Sequence, residues 1–190
     1  MKVAEGHLEF DFAASWCVVK YDEHSQHVKR MQAMESQAVD FCGSRQATVL
    51  LLEVKDFRGH RIENKEKLNG PLAKTVAQKM RDSVSGIIGQ QRLHAAAPSQ
   101  PWTDCSAGLI SAGDVLAVLF LQTDRNPPDK RKALLSTELK LFKQCMRWSG
   151  MRVMVVDLDT YSPAIAGLTV KSLPGAAGHG ATAARVVGKS

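Results

Sequence analysis

The chain has 190 residues and a mass of 20.7 kDa, room for one domain with a sizeable core and too little for two ordinary ones. Hydrophobic residues at 44% and charged residues at 23% are the proportions of a soluble globular protein, and aromatics at 6% leave no evident stacking platform for single-stranded nucleic acid. The 25 basic residues against 19 acidic ones give a net charge of +6, which suits phosphate-rich partners through counterion release as well as simple solubility.

The cysteines Cys17, Cys42, Cys105 and Cys145 are scattered, without a C-x-x-C pair or neighbouring histidines. They read as reduced thiols and not as a zinc site or a disulfide framework. The first residues, MKVAEGHLEFDF, carry charge where a secretion signal needs an apolar core. No apolar stretch is long enough to span a bilayer. A cytoplasmic protein with no membrane partner is the expectation.

In chain order, residues 7–21 (HLEFDFAASWCVVKY) alternate apolar and polar positions and are rich in aromatic and β-branched residues, predicting one or two strands. Residues 22–36 are polar, a short helix or a loop. QAVDFC at 37–42 and TVLLLEVKDF at 48–57 flank Gly43-Ser44-Arg45-Gln46, a pattern that predicts a β-hairpin with its turn over 43–46. After a charged loop at 58–70, Pro71 suits a first helical position. Leu72, Val76, Met80, Val84, Ile87 and Ile88 then recur at helical spacing through about residue 93.

Residues 94–112 read as an irregular excursion around a packed Trp102. DVLAVLFLQ at 114–122 predicts a buried strand, 130–148 a second amphipathic helix, and MRVMVVDLD at 151–159 another buried strand. A last short strand is expected at 167–172. The Gly- and Ala-rich tail 174–190 is expected to be flexible. The fold class is α/β, a central mixed sheet with helices on both faces, in a single domain over 1–173.

Side chains alternate along a strand, so Glu53 and Lys55 share a face while Leu52 and Val54 turn to the other. The hairpin brings Asp40 alongside. Two carboxylates and an ammonium then lie on one patch, the set that phosphodiester hydrolysis uses. Carboxylates hold Mg²⁺, which keeps several waters. The ion activates a water and polarises the phosphoryl group. A lysine serves as base or as charge stabiliser, and the Val54 carbonyl is an additional candidate ligand.

Asp40 with Glu53-Val54-Lys55 resembles the acid and E-x-K elements of the PD-(D/E)XK nuclease superfamily, across roughly residues 8–122. That resemblance implies a restriction-endonuclease-like core of helix, three-strand meander, helix and fourth strand. It also implies a Mg²⁺-dependent deoxyribonuclease, with Mn²⁺ able to substitute. Asp40, Glu53 and Val54 would be metal ligands, Asp40, Glu53 and Lys55 the catalytic set, and DNA the partner.

The chain departs from the family pattern in having Val39 where many members have proline. Glu9, Asp22, Glu23 and Glu35 are candidates for the glutamate that many members supply from the first helix, and spacing singles out none of them. In the helix after E-x-K, Lys79 borders the apolar stripe and is a candidate substrate contact, or else snorkels from a buried stem. Arg81 and Asp82 read as a solvated face, His24 and His27 as surface histidines, and Asp157 and Asp159 as structural. A non-catalytic interaction module that retains the fold is the alternative function, and a homodimer is one assembly the reading allows.

Overall fold

The computed structural model describes residues 1–31, 35–59, 66–93, 101–111, 113–124, 126–162 and 164–174. Its elements run β1 (Lys2–Glu5), β2 (Leu8–Phe12), β3 (Cys17–Lys20), α1 (Ser25–Arg30), β4 (Phe41–Arg45), β5 (Thr48–Asp56), α2 (Pro71–Leu93), α3 (Trp102–Ile110), β6 (Asp114–Gln122), α4 (Pro128–Cys145), β7 (Arg152–Val156) and β8 (Leu168–Ser172). The strands form two sheets. A five-stranded mixed sheet has the order β3-β4-β5-β6-β7, and a three-stranded antiparallel sheet has the order β1-β2-β8. The class is α/β.

In the larger sheet β3, β4 and β5 form an antiparallel meander. Strands β6 and β7 continue it in parallel, joined through helices as parallel strands require. The central strands β5 and β6 are apolar along most of their length because both faces are covered. Val49 and Leu51 pack toward the helices α2, α3 and α4. Leu50, Leu52 and Val54 pack toward β2 and β8.

That second layer corrects the expectation of helices on both faces. Helices α2, α3 and α4 pack on one face, and the small sheet covers the other with Leu8, Phe10, Phe12, Leu168 and Val170. Strand β2 is buried at alternate positions only, the pattern of a strand with one dry face. Alternation reveals such a strand but not which sheet it joins. Phe10 meets Phe41 and Phe120 of the large sheet at centroid separations of 5.4 and 5.3 Å, within the range of favourable aromatic packing.

The expected hairpin is β4-β5, with Arg45 opposite Thr48. Its turn lies at Gln46-Ala47, with Gln46 at φ 53°, and not over 43–46. Gly43 lies inside β4 instead. A Cβ there would stand 2.7 Å from Val18 Cγ2 and 2.8 Å from the Cys17 carbonyl, so this glycine serves close strand approach. Part of the segment read as an irregular excursion is α3, whose Trp102 and Cys105 are buried. Strand β1 was not anticipated, whereas α2, β6, α4, β7 and β8 fall near their expected positions. Residues 60–65, 94–100 and 175–190, on which parts of the expected charged loop, the irregular excursion and the flexible tail fall, lie outside the described residues.

Candidate functional site

Antiparallel pairing of Phe41 with Leu52 sets Asp40 across from Glu53 at the open end of the hairpin. The Val54 amide donates to Asp40 Oδ2 at 2.6 Å, a charge-assisted length. The Asp40 carbonyl accepts from the Tyr21 amide at 2.8 Å. The segment leading to Asp40 is bound to α2. The Gln37 amide donates to Asp82 Oδ2 at 3.1 Å, and the Val39 amide to Ser83 Oγ at 3.0 Å. These bonds hold α2 in register against Asp40. Asp82 is therefore a structural anchor, correcting its reading as part of a solvated face.

Lys79 lies one helical turn before Ser83 and reaches the same point. Its Nζ is 2.7 Å from Glu53 Oε1 and 3.9 Å from Asp40 Oδ1. Lys55 Nζ approaches Glu53 Oε1 from the strand itself, at 2.5 Å. The four side chains singled out from sequence thus converge: Asp40, Glu53, Lys55 and Lys79. Glu53 is fully buried and Asp40 nearly so, whereas the Lys55 and Lys79 side chains keep 27% and 18% exposure. The carboxylates are recessed, with the partly exposed ammoniums at the rim.

Glu53 Oε1 takes both ammoniums. Glu53 Oε2 is buried with no hydrogen-bond partner among the described residues, an expensive state for a carboxylate oxygen. Burial, and then the charge of Glu53, push the Asp40 carboxyl up to about 7, against the opposing pull of the Val54 amide, Lys79 and Lys55. Burial pulls the Lys55 ammonium down, but the charge and hydrogen bond of Glu53, followed by Asp40 and Glu5, outweigh it and leave its pKa raised. Lys55 is protonated at neutral pH.

Sequence reasoning missed Glu5 on β1. It acts on Lys55 and forms an ion pair with Lys20 at 3.0 Å. The β1-β2 turn places Gly6 beside Asp56 at the end of β5, and pairing between sheets distant in sequence leaves no local signal. Of the first-helix acids proposed from sequence, Glu23 pairs with Lys20 and Asp22 accepts from the Glu23 amide. Glu9 lies on β2 in the small sheet, opposite Lys171.

His27 is buried against Tyr21, and His24 packs edge-on against Trp102. Burial corrects the reading of His27 as a surface histidine, whereas His24 is half-buried. Asp157 and Asp159 pair with Arg131, which gives them the structural role expected and supplies a partner that sequence did not reveal. Among the described residues, no three of His, Cys, Asp and Glu come together as a metal cluster. No helix there is long and apolar enough to cross a membrane.

Compared with known proteins, the chain matches no family model, no curated protein and no solved structure.

Proposed function

We propose that the chain is a metal-dependent nuclease that hydrolyses phosphodiester bonds in DNA, on a restriction-endonuclease-like core. The observation that carries this reading is the meeting of Asp40, Glu53, Lys55 and Lys79 at one recessed point. The order of antiparallel meander, helix α2 and parallel strand β6 supports it, because in that fold the first acid and E-x-K lie on adjacent meander strands.

The residues fit a hard divalent cation. Glu53 Oε2 is an orphaned buried oxygen, and Asp40 Oδ1 has an ammonium only at 3.9 Å. Two carboxylates suffice for Mg²⁺ or Mn²⁺, since Mg²⁺ retains several waters and takes oxygen ligands, and the Val54 carbonyl is a third candidate oxygen. When bound, such an ion polarises a phosphoryl oxygen and lowers the pKa of water.

The protein's own groups do the rest. Lys55, with its ammonium against Glu53 Oε1, serves as the charge stabiliser or the general base. With Lys79 it brings two positive charges to a phosphate whose negative charge grows as the attacking oxygen adds. The low exposure of Asp40 and Glu53 strengthens these interactions by excluding water.

The test is digestion of plasmid and single-stranded DNA with Mg²⁺ or Mn²⁺, comparing wild type with Glu53→Ala and Lys55→Ala. Cleavage should fall at least 100-fold in both variants, by analogy with the roughly 10²–10³-fold loss on removing one electrostatic stabiliser. Equal cleavage by all three proteins, or none by wild type with either metal, would sink the reading. A second reading, a non-catalytic module with the same fold in a nucleic-acid-processing complex, draws on the complete burial of Glu53 between two lysines. It predicts no metal-induced shift in melting temperature and no product.

A further inference from the structure

Successive side chains on a strand point to opposite faces, so β4 turns Phe41 toward the small sheet and Cys42 toward the helices. Helix α3 covers that face with its own Cys105, and neither cysteine has any exposed surface. The Cys42 thiol donates to Cys105 Sγ at 3.5 Å, between residues 63 positions apart in the chain. All four cysteines are free thiols. Cys42 and Cys105 are thus a reduced pair in contact across the helix–sheet interface.

A third thiol stands close by. Cys17 lies on β3 opposite Ser44, and Ser44 shares its strand face with Cys42. Cys17 is partly exposed, and burial, followed by the charges of Cys105 and Asp104, pushes its thiol up. It is the competing partner that any oxidation of the pair has to be distinguished from.

We propose that Cys42 and Cys105 are a redox pair that hydrogen peroxide oxidises to an intramolecular disulfide, clamping α3 to the sheet. Cys105 accepts the hydrogen bond, and as its thiolate it attacks one peroxide oxygen. The O–O bond breaks, Cys105 becomes a sulfenic acid, and the other oxygen leaves with the thiol proton as water. Cys42 then releases its proton and attacks Cys105 Sγ, the S–O bond breaks, and a second water leaves. Two thiols and one peroxide become one disulfide and two waters.

Closing the pair to a bond of about 2.05 Å brings the sulfurs together by about 1.5 Å. The hydrogen bond to Cys105, and then burial, push the Cys42 thiol up, so the bridge forms under sustained exposure and not in a brief pulse. It closes a long loop, the case in which a cross-link most restricts the unfolded chain. The clamp sits behind the Asp40 strand. Trp102 of α3 packs on Tyr21 with centroids 5.4 Å apart, and the Tyr21 amide donates to the Asp40 carbonyl. The proposal does not depend on the nuclease reading.

The chain is oxidised with hydrogen peroxide, and half of the sample is re-reduced with dithiothreitol. Non-reducing peptide mapping of the oxidised half should join Cys42 to Cys105. Its urea midpoint should stand roughly 1–2 M above that of the re-reduced half. Cys42→Ala and Cys105→Ser should each abolish the joined peptide and the difference in midpoint, whereas Cys17→Ser should keep both, and thermal melting verifies that each variant folds. A bridge that includes Cys17, sulfinic acid at Cys105 with no bridge, or an oxidised midpoint no higher than the re-reduced one overturns the proposal. The mapping and the two midpoints use wild type alone, so they decide even if the Cys42 and Cys105 variants do not fold.

Discussion

Replacing Asp40 with asparagine should make the protein more stable at alkaline pH while leaving its stability near pH 4 almost unchanged. Asp40 is 5% exposed, and its carboxyl is pushed from 3.8 up to about 7 by burial and by Glu53. Between those values the folded protein holds a proton that the unfolded chain has released, so stability falls as pH rises. The contribution is complete below the unfolded value and is lost as pH passes through about 7. At about 1.36 kcal/mol for each tenfold change in proton affinity, the full span corresponds to roughly 4 kcal/mol.

Asparagine cannot ionise, and it keeps an oxygen to accept from the Val54 amide, which donates to Asp40 Oδ2 in the native protein. With a urea dependence of about 2 kcal/mol per molar, the Asp40→Asn midpoint should exceed that of wild type by roughly 2 M at about pH 8, with the two converging toward pH 4. The assay is a set of urea titrations in EDTA at stepped pH. A gap that does not change with pH, or a wild type that gains on the variant as pH rises, would refute the account of Asp40.

Three further outcomes concern the scaffold. Glu53→Ala leaves the Lys55 and Lys79 ammoniums, now 2.5 and 2.7 Å from Glu53 Oε1, facing each other with only the longer contact to Asp40, 3.9 Å from Lys79, as counter-charge. A loss of about 3–5 kcal/mol is expected on chemical denaturation, as for other broken buried pairs. Gly108→Ala would place a Cβ 2.3 Å from Val49 Cγ2 and push α3 off β5, costing about 1–3 kcal/mol, read as a lower melting temperature. Arg131→Ala breaks pairs with Asp157 and Asp159 at a site where Arg131 is 35% exposed. Its expected cost is below about 1 kcal/mol, and a larger loss would show that this pair anchors α4 to the end of β7.

Much of the scaffold was legible because its signals are local. The apolar runs at 48–57 and 114–122, the helical stripe from Leu72 to Ile88 and the amphipathic pattern at 130–148 each carry their own period. They appear as β5, β6, α2 and α4. The period of two along β5 also sufficed to put Glu53 and Lys55 on one face, and that face is the one that Lys79 meets. Helix α3 escaped notice because its apolar stripe is short. Its helix–sheet contact depends on small residues such as Gly108 against Val49, and small residues resemble loop composition.

Residue order along the chain determined which groups share a strand face or a helix stripe, since backbone geometry repeats every two or every 3.6 residues regardless of what lies beyond. It could not determine which faces meet. The approach of Lys79 to Glu53 depends on the bonds from Gln37 and Val39 to Asp82 and Ser83. The covering of the large sheet by β1-β2-β8 joins residues 8–12 to 168–172. The proton affinity of Asp40 follows from burial and from a second carboxylate across the hairpin. Each is a through-space effect between segments that the chain separates, and only tertiary packing brings them within reach.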